Sequence, residues 1–171
     1  LIGEERLIAP TFLLDPFILD GGGPILFAAP GRGKSFSVLF WAVSIDAGVS
    51  TTLWRVKQAP VLFINLERGR STVMNRLGAV NRALHLPSTR ALLTLNARGK
   101  SLADVLPVCR KIVREESIGC VFLDSISRAG VGDLTENQPV NKIMDMLNGL
   151  CPTWVGLAHT PRADESHIFG G

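Results

Sequence analysis

Residues 28–35 read Ala-Ala-Pro-Gly-Arg-Gly-Lys-Ser, and these types in this order suit a polyphosphate. Gly31 and Gly33 let the backbone curl so that successive N–H groups point inward at an anion. A helix opening near Lys34 adds the positive end of its dipole. The Lys34 ammonium can reach the terminal phosphates, and the Ser35 hydroxyl is a ligand for Mg²⁺. Ala29, Pro30, Gly31, Arg32, Gly33, Lys34, Ser35 and Phe36 are the positions expected to cradle the nucleotide. Arg32 either contacts phosphate or is the loop's variable exposed position. Ala28 stands where the stricter form of this P-loop has glycine, so a methyl group must fit at the strand's end.

A P-loop alone does not separate kinases, GTPases and motors. The acidic partner is the run CVFLD, four apolar residues ending in Asp124. It has the Walker B form, a carboxylate at a strand's carboxyl end where it can hold the magnesium shell. The plainer alternative is a helix N-cap aspartate after a buried strand. Ser125 rather than glutamate follows Asp124, so a general base must come from elsewhere. Glu67, ending the run VLFINLE, can orient and deprotonate the water that attacks a γ-phosphate; the alternative is a solvent-facing glutamate that opens a helix. A guanine-reading NKxD-type motif is missing from the chain, which disfavours a GTPase. A small-molecule kinase would bring an arginine-rich lid between the two motifs, and here the arginines are plentiful but dispersed. His159 and His167 have no Cys or carboxylate at zinc-ligand spacing, and His85, before Pro87, reads as a solvated or capping residue.

These residues must be positioned by short strands. Runs at 24–29 (PILFAA), 61–66 (VLFINL), 91–95 (ALLTL), 120–124 (CVFLD) and 154–158 (WVGLA) are apolar on both faces, as in a parallel sheet covered by helices. Helical patterns alternate with them, at 36–47 and 71–84. Leu102, Val105, Leu106, Cys109, Ile112 and Val113 follow helical spacing, with Ser101 and Asp104 as a capping-box start. Pro107 inside that pattern predicts a kink or a second start. Val140, Ile143, Met144, Leu147 and Leu150 form a further stripe with Pro139 near its first turn. The fold class is α/β with a mostly parallel central sheet.

The 171 residues suffice for one domain with its own core, and 46% apolar against 19% charged residues excludes a disordered chain. Asp20, Arg32, Lys34 and Asp46 interrupt every long apolar stretch, so no membrane-spanning run and no membrane partner are expected. Cys109, Cys120 and Cys151 are odd in number and widely spaced, which fits a reducing compartment and no disulfide framework. Residues 55–114 hold twelve Lys/Arg against Glu67 and Asp104, a net +10 within a chain of net +3. Such a basic middle is compatible with phosphate or nucleic acid as a partner. The chain opens on Leu1 with nothing like a signal peptide and reads as a piece of something longer.

The segments APGRGKS, LWRVKQAPVLFINLERG, CVFLDSISR, TENQPVNKIMDML and VGLAHTPRADESHIFGG together resemble the RecA-type core ATPases. The likeness runs over roughly residues 10–171 and is greatest to the RepA-like hexameric helicases of plasmids and phages, with AAA_25-type domains. It implies one RecA-like core over residues 1–171, with residues 1–20 as its N-terminal lead-in, stopping short of further C-terminal strands. It implies ATP and Mg²⁺ as cofactors and a cytoplasmic setting in a bacterium, plasmid or phage. The sheet order would be 3-2-4-5-1, bringing Glu67, Asp124 and His159 to the same edge as Lys34. By the same likeness Glu67 is the catalytic base, His159, with Thr160 beside it, senses the γ-phosphate, and Arg162 reaches a neighbouring subunit's nucleotide in a homo-oligomeric, hexameric ring. Loops at 128–136 and 161–169 would face the ring axis and touch single-stranded DNA, although neither interleaves basic and aromatic residues. A KaiC-like nucleotide switch and a small-molecule kinase remain as rival functions.

Overall fold

The computed structural model describes residues 9–29, 31–129 and 137–159, with side chains from 140 onward in the last stretch. In chain order the elements are β1 (Phe12–Asp15), β2 (Ile18–Leu19), β3 (Ile25–Ala28), α1 (Lys34–Ala47), β4 (Arg55–Val56), β5 (Val61–Asn65), α2 (Arg70–Ala83), β6 (Thr94–Asn96), α3 (Leu102–Glu115), β7 (Cys120–Asp124), α4 (Asn137–Asn148) and β8 (Trp154–His159). Five of the strands form one sheet in the order β3-β8-β7-β5-β6. Every pairing in it is parallel. Counting these five in chain order, this is the 3-2-4-5-1 arrangement implied by the resemblance.

Both faces of this sheet are covered, and the strands show why they are apolar throughout. On β5, Val61 and Phe63 point into a core shared with Val38, Leu39 and Val43 of α1 and Leu77 and Val80 of α2. Leu62 and Ile64 point the other way, into a second core with Leu102 and Cys109 of α3 and Ile143 and Leu147 of α4. β7 alternates in the same sense, Phe122 to the first core and Val121 and Leu123 to the second. Period-two side-chain alternation under two helical layers leaves no polar face.

The structure adjusts three expectations. Residues 91–93 fall outside β6, which begins at Thr94, although the Leu93 carbonyl still accepts from Phe63 N at 2.9 Å. Of the kink or second helix start expected at Pro107, the second start is absent, and α3 runs as one helix through that residue. Pro107 lacks the N–H that would bond the Ala103 carbonyl and crowds that carbonyl, yet the Ser101–Asp104 capping box fixes a single start, with Asp104 N donating to Ser101 Oγ at 3.2 Å. Third, a small antiparallel sheet in the order β2-β1-β4 was not foreseen. It packs Leu13, Leu14 and Ile18 into the first core, and Phe17 stacks on Trp41 of α1 at 5.5 Å between ring centroids. Strands of two to four residues carry too little alternation to be read from a sequence. No helix among the described residues is long and apolar enough to cross a membrane.

Candidate active site

The parallel register aligns the carboxyl ends of four strands. Ala28 of β3 lies opposite His159 of β8, and Asn65 of β5 lies opposite Asp124 of β7. Ligands of open α/β sheets bind beyond such an edge.

The loop after β3 takes the form its glycines require. Gly31 and Gly33 have φ of +83° and +81°, a left-handed region that residues with a Cβ rarely enter. The Gly33 carbonyl accepts from Phe36 N at 2.8 Å and Ser37 N at 3.1 Å, opening α1. Residues 31–36, Arg68, Arg76 and His159 line a cavity of about 140 Å³. Lys34 is 7% exposed, and its ammonium donates to the carbonyls of Ala28 and Ala29, the second at 2.9 Å. Burial depresses its pKa, while Glu67 and Asp124 pull it back up. Reaching a phosphate exchanges those two carbonyls for phosphate oxygens. Pro30 lies outside the described residues.

Asp124 ends β7 at 2% exposure. Burial, then the nearby Glu67 charge, push its pKa up, against a hydrogen bond with Ser35 and the charges of Arg68 and His159. Its Oδ1 is buried with no hydrogen-bond partner. A buried carboxylate oxygen so placed, beside the Ser35 hydroxyl, supplies the hard oxygen donors that Mg²⁺ prefers, with water and phosphate left to complete the shell. The residues therefore fit magnesium. Among the described residues no cluster of three or more His, Cys, Asp or Glu could hold a metal.

Glu67 stands two residues beyond β5, where Leu66 N still donates to the Asp124 carbonyl at 2.8 Å. Its Oε2 lies 3.3 Å from His159 Nε2. Burial alone would raise its pKa, but hydrogen bonds with Ser125 and His159, helped by the charges of His159 and Arg68, outweigh burial and hold the carboxyl below the usual glutamate value. Glu67 is thus ionised and anchored to His159, which lines the cavity. His159 Nδ1 is buried without a partner, leaving the imidazole with a second nitrogen for a ligand.

Sequence reasoning missed the residues that hold Glu67 in place. Asn65 is fully buried; its Nδ2 donates to the Arg68 carbonyl at 2.8 Å and to Asn96 Oδ1 at 3.0 Å, and its Oδ1 accepts from Arg68 N at 2.9 Å. A lone polar residue in an otherwise apolar strand, just before the candidate base, was the available signal. Arg68 and Arg76 were also missed. Both line the cavity, and the Arg76 guanidinium lies 5.7 Å from the Phe36 ring centroid. Arg162, Thr160, His167 and the 161–169 loop lie outside the described residues, as does the 128–136 loop beyond Ala129.

The AAA domain family, AAA_25, matches residues 4–160. The chain belongs to that family. Its members are RecA-like P-loop ATPases, and the sheet order, the glycine geometry and the clustered Lys34, Asp124 and Glu67 agree with membership. ATP with Mg²⁺ is the ligand pair general to this AAA family. No curated protein matches the chain.

Proposed function

We propose that this AAA-domain chain hydrolyses ATP with Glu67 as the general base, and that it works in a homo-oligomeric ring of the RepA-like helicase type, on single-stranded DNA. The observation that carries the reading is Glu67 held 3.3 Å from His159, which itself lines the P-loop cavity. Water attacks the γ-phosphorus, the bond to the β,γ-bridging oxygen breaks, and Glu67 takes the proton, giving ADP and inorganic phosphate. The inward N–H groups of residues 31–35 and the Lys34 ammonium stabilise the charge on the phosphates. Mg²⁺, which Ser35 and Asp124 would hold, neutralises phosphate oxygens when bound. His159, joined to Glu67, reports whether the γ-phosphate is present. Arg162 supplies the cation to a neighbouring subunit's nucleotide.

The test is ATP turnover against protein concentration, with and without single-stranded DNA. A cation supplied in trans is worth about 10³–10⁵ in rate, so specific turnover rises steeply with concentration and further with DNA. Fast, concentration-independent turnover contradicts the ring. Turnover indifferent to DNA favours the KaiC-like switch, and phosphoryl transfer to an acceptor other than water favours the small-molecule kinase.

A further inference from the structure

Beside Glu67 lie two cavities of about 450 and 330 Å³ with Glu67, Arg98 and Arg128 as a common wall. The first adds Lys100, Ser101 and Asp104, and the second adds Arg68 and Thr72. Arg68 also lines the P-loop cavity. We infer that this double basin is a binding groove for a phosphodiester backbone, placing single-stranded nucleic acid against the residue proposed to activate water. The inference rests on the nucleic-acid-coupled reading above, and locates a contact in the β6–α3 loop, which that reading does not include.

The charges argue for it. Four cations reach the basin from three separate segments: Arg68 after β5, Arg98 and Lys100 between β6 and α3, and Arg128 after β7. Two acids share the lining, Asp104 and Glu67, the latter 3.8 Å from Arg68, so the four cations exceed the acids by two. Asp104 Oδ2 accepts from Ser101 N at 2.9 Å and Ser101 Oγ at 2.7 Å, and Glu67 faces His159. Among the described residues, Arg98, Lys100 and Arg128 form no ion pair within 4.0 Å, and Arg68 Nε is buried without an acceptor. An excess of cations gathered on one face repels itself and gains from a polyanion.

The distribution selects the class of anion. Lys100 belongs to one lobe, Arg68 to the other, and Arg98 and Arg128 to the shared wall. Cations strung along both lobes match a chain of repeating charge rather than a single phosphate ion. An acidic polypeptide would also carry repeating charge, but protein partners are held mainly by buried apolar and aromatic anchors. Leu66 is the one large apolar side chain in the lining. Occupancy of the groove is felt at the active site through Glu67 and Arg68, whose side chains approach to 3.8 Å.

The experiment is fluorescence anisotropy of a labelled oligo-dT titrated with the chain at several salt concentrations. Wild type is compared with an Arg98→Ala/Lys100→Ala/Arg128→Ala variant, and binding of a fluorescent ATP analogue is measured on both. For single strands the slope of log affinity against log salt is about 0.7 per phosphate neutralised, so the triple variant loses about 2 from that slope. Its affinity for oligo-dT falls at least tenfold while its affinity for the ATP analogue is unchanged. A variant with Arg98→Lys and Arg128→Lys keeps the wild-type slope. An unchanged slope in the triple variant overturns the groove, as does wild-type binding to polyglutamate as tight as to oligo-dT. Wild type that binds and hydrolyses ATP but not oligo-dT overturns the groove and leaves the ATPase standing. Loss of ATP-analogue binding in wild type strikes the P-loop reading alone, since the oligo-dT titration still decides the groove.

Discussion

Two carboxylates at the same sheet edge are tuned in opposite directions, and this has consequences for pH and stability. Asp124 has its pKa raised chiefly by burial, so at neutral pH its ionised form destabilises the fold, and that cost appears as pH rises through the raised value. Glu67 has its pKa lowered, because hydrogen bonds with Ser125 and His159 outweigh burial. Its contribution to stability is present above the unfolded glutamate pKa and is lost as pH falls through the lower folded value. Asp124→Asn in the absence of ATP and Mg²⁺ therefore raises Tm, by about 2–4 °C for each kcal/mol relieved, and removes Mg²⁺-dependent turnover. Differential scanning fluorimetry beside an ATPase assay checks both, and a lower Tm in the variant contradicts the burial argument. At this scale Lys34, Ser35, Asp124 and Glu67 were legible because each ends or follows a recognisable strand. Arg68 and Arg76 were not. They are two of twelve cations in the 55–114 segment, and only the fold shows which of those face the P-loop.

The turn that presents Glu67 is built by Asn65, which makes its three hydrogen bonds from a fully buried position. Asn65→Ala leaves the Arg68 backbone groups and Asn96 without those partners, at a cost of about 1–3 kcal/mol. The expected result is a lower Tm together with a kcat about tenfold reduced, since a misplaced base is costly even at short distances. Affinity for an ATP analogue falls less than kcat, because the P-loop is a separate segment and Arg68 is the part of the nucleotide cavity that Asn65 holds. Equal losses in kcat and in nucleotide affinity contradict this division. The five strands of the main sheet were legible as apolar runs between helical patterns, and their order came from the resemblance rather than from any local signal. The hairpin of β1 and β2 and its pairing with β4 were not legible. Those strands are stabilised by Leu14 and Ile18 packing against α1, a tertiary effect.

At the scale of the molecule, a chain of net charge +3 concentrates twelve cations in residues 55–114, and the fold gathers three of them, Arg68, Arg98 and Lys100, with Arg128 beside the site. The proposed association with single-stranded DNA is accordingly expected to be steep in salt, with affinity falling linearly on a log–log plot between 50 and 200 mM, roughly the range over which phosphate contacts are screened. A flat dependence contradicts an electrostatic interface. The basic window was visible in the sequence, but the convergence of distant segments on one side of Glu67 is a property of the sheet order alone. Glu67 joins the scales, being ionised, fixed by the β5 turn, lining the basic basin and touching His159 of the nucleotide cavity. Single-turnover hydrolysis of ATP by wild type and Glu67→Gln at equal nucleotide occupancy tests this most directly. The expected outcome is a fall of about 10²–10⁴ in the hydrolysis rate, with affinity for the ATP analogue retained. A variant that hydrolyses within a factor of a few of wild type would show that the base lies elsewhere.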